Sequence, residues 1–156
     1  MERAKNIFDK IGSLIPGYRG YAEREGRRQC DKLLREEIIS VIAKCEEDIG
    51  SQLDEDIKVK DKDVEKIKSL ENNRKRINTL ASKIKFSPYG ISAFFSNSQL
   101  KETELEQIYK KDLAILESVN SLKSYIKQKA HKEILLEIAN IEDILEERNK
   151  FIKEFK

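Results

Sequence analysis

Residues 100–156 read LKETELEQIYKKDLAILESVNSLKSYIKQKAHKEILLEIANIEDILEERNKFIKEFK, a run with neither glycine nor proline. Leu105, Ile108, Leu113, Leu116, Val119, Leu122 and Ile126 recur at helical spacing and make one apolar stripe. Ile134, Ile138, Ile141, Leu145 and Ile152 make a second. Between them lies the apolar-poor stretch Lys127 to Lys132. With no breaker residue there, the expectation over 101–155 is one long helix, a break or kink at that stretch being the alternative. A continuous helix of this length would span about 80 Å. Thr103 and Glu106 have the spacing of a capping box at its start.

The same period runs upstream. Ala4, Ile7, Phe8, Ile11, Leu14 and Ile15 share one face of a short amphipathic helix over 2–15, which Pro16-Gly17 ends in a turn. Over 22–56, Cys30, Leu34, Ile38, Val41, Cys45, Ile49 and Leu53 step by three or four residues. The polar run 54–63 reads as a hairpin connection, with Asp61 or Asp63 as cap of the next helix. That helix covers 63–85 through Val64, Ile67, Leu70, Ile77, Leu80, Ala81 and Ile84, and Arg74 occupies an expected core position. The stretch 86–100, FSPYGISAFFSNSQL, is the one long break, and its aromatics suit an ordered loop packed on the helices.

Composition agrees. The 156 residues hold 38% hydrophobic and 38% charged side chains, with only 6 Gly and 2 Pro. Mean hydropathy is −0.65, which suits narrow Ile/Leu stripes rather than a thick core. The expected fold is therefore all-α: a single domain (1–156), an elongated antiparallel helical bundle of coiled-coil character. No apolar run approaches the roughly 20 residues a membrane span needs. The start MERAKNIF lacks a secretory apolar region, so a cytoplasmic location is expected. Cys30 and Cys45 on one helix would lie about 22 Å apart, too far for a disulfide, and read as reduced core thiols.

The net charge of +2 conceals an alternation. Residues 1–45 carry +3, 46–63 carry −5, 64–100 carry +5 and 101–156 carry −1. No long block has one sign, so a nucleic-acid-binding tail is not indicated.

The inventory for chemistry is thin. His131 is the one histidine, with Gln at 128, so a Glu-x-x-His di-iron set fails, and two distant cysteines make a poor zinc set. Phosphate-binding glycine loops are missing from the chain. The acidic pairs Glu36-Glu37, Glu142-Asp143 and Glu146-Glu147 and the run Glu46-Glu47-Asp48 read as solvated helix faces. The expectation is no enzyme, no catalytic residue, no cofactor and no metal.

The most distinctive stretch is Ile15-Pro16-Gly17-Tyr18-Arg19-Gly20-Tyr21, followed by Arg24, Glu25, Arg27, Arg28, Asp31 and Arg35. Tyr and Arg are frequent at binding hot spots. Tyr18, Arg19, Tyr21, Arg24, Arg27, Arg28 and Arg35 are thus candidates for partner or anion binding. Arg24, Arg28 and Arg35 fall near one helical face around Asp31. The plainer account is a structural turn whose arginines pair with Glu25 and Asp31. Ile7, Phe8, Ile11 and Leu14 form a candidate face for a membrane surface or for docking on the bundle, with Arg3, Lys5 and Lys10 opposite.

This stretch resembles a prokaryotic family of small helical proteins with an I-P-G-Y-x-G-Y-x-x-x-E-x-x-R-x-x-D-x-x-x-R pattern. Gly90 to Phe95, then Leu105, Tyr109, Asp112 and Leu113, match a second segment of that family. The resemblance implies a helical fold and brings no activity with it.

The functional expectation is a non-catalytic interaction or scaffold protein that works through a protein partner or its own oligomers. The alternative is peripheral binding at the inner membrane face through residues 2–15 and the adjacent arginines. Nucleic-acid binding by Lys68, Lys75, Arg76 and Lys83 is the weakest reading.

Overall fold

A computed structural model describes residues 2–86, 93–96 and 100–155, with side chains from Asn6 onward except that of Ala93. The chain is an all-α helical bundle: α1 (Glu2–Leu14), α2 (Arg27–Lys58), α3 (Val64–Lys85), the single turn α4 (Ala93–Ser96), α5 (Glu102–Gln128) and α6 (His131–Glu154). No strand occurs among the described residues. None of their helices is long and apolar enough to cross a membrane.

Two antiparallel hairpins build the bundle. In the first, Asp56 meets Lys66 near the turn and Arg35 reaches the Ile84 carbonyl at the far end. In the second, Asn140 meets Ser118 and Arg148 meets Asp112. Gln52 on α2 donates to the Ile126 carbonyl of α5, while Asp31 and Asp112 share Arg148. Hence α2 and α5 run in the same direction, and both hairpin turns lie at one end. The core is the apolar seam: Leu34, Ile38, Ile42, Ile49, Leu70, Ile77, Ile108, Ile115, Val119, Ile126, Ile134, Ile138 and Ile141 are buried.

The expected single helix over 101–155 is corrected. Lys129 adopts a left-handed conformation (φ 57°, ψ 35°), and the Ala130 N–H donates to the Tyr125 carbonyl, closing α5 with a Schellman-type cap. Left-handed backbone costs a non-glycine residue about 1–2 kcal/mol. Reversal lets the two stripes face each other, and full burial of one Ile or Leu contributes about 1.5–3 kcal/mol. Tertiary burial outweighs the local preference, so a helix without breaker residues still stops.

Smaller boundaries also shift. α2 starts at Arg27 after a 3₁₀ turn (Arg24–Gly26) rather than at 22, and it ends at Lys58. Asp63 caps α3 by accepting from the Lys66 N–H at 3.1 Å. The cap of α5 sits two residues earlier than expected: the Lys101 N–H donates to Glu104 Oε1, while Glu106 pairs with Lys110. Asn73, not Arg74, takes the core position of α3; Arg74 is exposed and lies over Gly50. In the expected aromatic loop, residues 87–92 and 97–99 lie outside the described residues. Of the remainder, Phe86 is exposed, whereas Phe94 and Phe95 are buried.

Residues 15–18 form the expected turn, with Tyr18 N–H donating to the Ile15 carbonyl and Gly17 at φ 84°. The turn brings α1 against α5. The apolar stripe of α1 is then spent inside the protein: Ile11 is buried and Ile7 is half-buried. The Phe8 ring packs 5.8 Å from Tyr18 and 5.7 Å from Tyr109. Leu14 alone of the four candidate docking residues is exposed.

Candidate functional site

The network end of the bundle is built from charged residues at positions where each helix would otherwise carry an apolar side chain. Asp31 lies between Arg27 and Leu34 on the buried face of α2, Asp112 between Ile108 and Leu116 on α5, and Arg148 between Leu145 and Ile152 on α6. Three helices therefore deliver two carboxylates and a guanidinium to one point. Asp31 and Asp112 are fully buried and Arg148 nearly so.

Arg148 bridges them. Its Nε donates to Asp112 Oδ1 at 2.7 Å, and a terminal nitrogen donates to Asp31 Oδ1 at 2.6 Å and to the Tyr21 hydroxyl at 3.1 Å. The Tyr21 hydroxyl passes its own proton toward Asp112 Oδ2 at 2.6 Å, and Tyr18 donates to the same oxygen at 3.1 Å. Arg35 Nε donates to Asp31 Oδ2 at 2.8 Å and ties α3 in through the Ile84 carbonyl. All four carboxylate oxygens thus accept hydrogen bonds. Such charge-assisted bonds are about twice as strong as neutral ones.

A second layer sits beside the first. Tyr109 accepts from the Tyr21 N–H at 2.9 Å. Arg27, fully buried, donates to the carbonyls of Tyr21 and Phe94. Phe94 packs edge-on against Tyr21 and Phe155 and near Phe151. Gly20 has φ 81°, and a Cβ there would press on the Tyr109 hydroxyl and lie 2.7 Å from Phe8 Cε2. The glycine in the Tyr-x-Gly-Tyr stretch is therefore required both by backbone conformation and by space.

Electrostatics follow from burial. Burial raises the Asp112 carboxyl above its ordinary value against the pull of Arg148 and the Tyr21 hydroxyl. Burial lowers Arg148, but Asp112, Tyr21 and Asp31 outweigh it and hold the guanidinium well above its ordinary value. Burial, then the Asp112 charge, raises the Tyr21 hydroxyl. Burial, then Asp112, pushes the Cys30 thiol up to about 12; burial, then Asp48, does the same for Cys45. Both cysteines are free thiols. A thiol held protonated is a poor nucleophile. The cavity beside Arg35, Ile84 and Arg148 measures about 10 Å³, no more than one water needs.

The seven residues proposed as one binding surface separate into two groups. Tyr18, Tyr21, Arg27 and Arg35 are inside the protein, whereas Arg19, Arg24 and Arg28 are exposed. The common face expected for Arg24, Arg28 and Arg35 is corrected for the same reason: Arg24 belongs to the 3₁₀ turn before α2, and Arg35 points inward to Asp31. Sequence reasoning missed Arg148. Its signal was a charged residue interrupting the otherwise regular α6 stripe between Leu145 and Ile152. On the basic face of α3, Arg76 and Lys83 both reach Glu142, while Lys68 and Lys75 are exposed. Among the described residues, no group of three or more His, Cys, Asp or Glu side chains is arranged to hold a metal.

Comparison of the chain with protein-family models, curated proteins and solved structures finds no match.

Proposed function

We propose that this protein is a non-catalytic helical interaction module that acts through protein–protein contacts, self-association among them. The observation that supports this reading lies at the end opposite the buried network. There the two hairpin turns leave large apolar side chains in solvent: Ile57 is 45% exposed, Val59 52%, Val64 56% and Leu136 62%. Exposed apolar side chains grouped at the two turns suit a contact site, while Phe86, 77% exposed, lies apart from them at the network end. The network end serves this role as an anchor, because it joins α2, α3, α5 and α6.

Light scattering after size exclusion, together with affinity capture, tests the reading. The Ile57→Glu/Val59→Glu/Val64→Glu protein should keep its helicity and lose its associations. A wild-type chain that is strictly monomeric and recovers no partner sinks the proposal, as does a triple variant that keeps every partner.

A further inference from the structure

The turn between α2 and α3 is made of Val59-Lys60-Asp61-Lys62-Asp63, with no glycine and no proline. Nothing in that composition forbids helix. The apolar stripe also continues through it: Ile49, Leu53, Ile57, Val64 and Ile67 keep one helical face if 59–63 are wound as helix. In the hairpin, by contrast, Ile57 and Val64 are exposed and Ile67 is only half-buried. The segment therefore carries a helical pattern that the hairpin does not use.

We propose that two copies of this chain exchange halves about this turn. Residues 59–63 wind into helix, so α2 and α3 of one chain become one long helix. Helices α1 and α2 of each copy then pack on α3, α5 and α6 of the other. The inference rests on the self-association reading above and specifies how that association is made.

The hairpin's own register supports it. Within one chain Asp56 faces Lys66, Gly50 faces Arg74, and Arg35 faces Ile84. Two straight helices crossing antiparallel about a two-fold axis between Lys60 and Asp61 keep that register to within a few residues. Every contact between the halves, the Asp31–Arg148 and Tyr21–Asp112 contacts included, is then remade between chains. What is new lies at the crossing. Ile57 meets Val64 of the other copy, and Lys60 meets Asp61. The contact is isologous, as a two-fold dimer requires, and it buries the exposed apolar pair with opposite charges facing each other. One like-charge pair, Asp56 with Glu65, opposes it. Exchange about a hinge is a low-cost route to dimers because the halves gain no foreign interface.

The test uses the full chain with Asp56→Cys and Lys66→Cys, joined by a short thiol cross-linker; the native Cys30 and Cys45 are buried. After refolding at high concentration, a dimer by light scattering should carry the link between chains on a denaturing gel. Lys60→Pro should weaken that dimer about a hundredfold, since proline disrupts a helix interior. The hairpin should tolerate it, because Val59 already has the extended backbone (φ −70°, ψ 140°) that precedes proline. Asp63→Ala, which removes the α3 cap, should raise the dimer fraction about tenfold. A dimer whose link stays within each chain overturns the exchange and leaves end-on association standing. Monomer at every concentration, in the Asp63→Ala variant as well, overturns the exchange, while capture of other proteins still decides the broader reading.

Discussion

Replacing Arg148 with Met isolates the energetic role of the buried network. Arg148 supplies Asp112 with its one guanidinium contact, at 2.7 Å, whereas Asp31 keeps Arg35 at 2.8 Å. The variant therefore orphans one carboxylate, not two. Asp112 retains the Tyr18 and Tyr21 hydroxyls, which solvate a charge but do not neutralise it. Removing one partner of a buried ion pair costs about 3–5 kcal/mol. For a chain of this size that is a drop in Tm on the order of 10 °C.

The double variant Asp112→Asn/Arg148→Met removes both charges yet keeps an acceptor for the tyrosines. It should recover about 2 kcal/mol of the loss, which a double-mutant cycle reports as coupling. Acidification provides an independent arm. Burial already raises the Asp112 carboxyl, and loss of Arg148 raises it further. A carboxyl whose folded value lies above its unfolded one favours the folded state once protonated. The stability deficit of Arg148→Met against wild type should therefore shrink as the pH falls from about 8 to about 5. Urea denaturation followed by far-ultraviolet circular dichroism measures both. A deficit below about 1 kcal/mol, or one unchanged over that pH range, would refute the account of Arg148 as the charge that makes Asp112 tolerable.

Four further outcomes follow from the same geometry. Cys30 and Cys45 ordinarily titrate near 9.0 and are held up to about 12, so their contribution is whole below 9 and is lost as pH climbs toward 12. The wild-type stability should fall by about 1.4 kcal/mol per thiol per pH unit in that window, and a Cys30→Ala/Cys45→Ala variant should show a shallower slope in thermal melts. Gly20→Ala should destabilise by about 2–3 kcal/mol, since both φ 81° and the Phe8 and Tyr109 side chains oppose a Cβ; near-wild-type unfolding would refute the close approach. Lys129→Gly should stabilise by about 0.5–1 kcal/mol by relieving the left-handed lysine; a loss of stability would place the turn elsewhere. Ile11→Ala, at a buried α1 position, should cost about 2–5 kcal/mol, and an Ile11→Ala protein as stable as wild type would mean that α1 is not docked on α5.

The sequence by itself determined that this chain is a set of amphipathic helices, because apolar spacing reports the local period of the backbone directly. It also placed the Pro16-Gly17 turn and narrowed the α3 cap to Asp61 or Asp63, because the causes are local: a ring that restricts φ, a glycine that accepts positive φ, and a carboxylate within reach of a first-turn N–H. Only the tertiary structure decided how the helices meet. The end of α5 at Lys129 carries no breaker residue, only the apolar-poor stretch Lys127 to Lys132, and its left-handed conformation is stabilised by burial of Ile134 and Ile138 against the α5 stripe. The Tyr18–Arg35 stretch read either as a binding surface or, more plainly, as a structural turn, because Arg and Tyr are ambiguous in isolation. Asp112 and Arg148, about 90 and 127 residues from Tyr21 along the chain, turn half of it inward. Charge is tolerated inside a protein only when distant segments bring compensating charge to the same point, and that meeting is a property of the fold, not of any stretch of sequence.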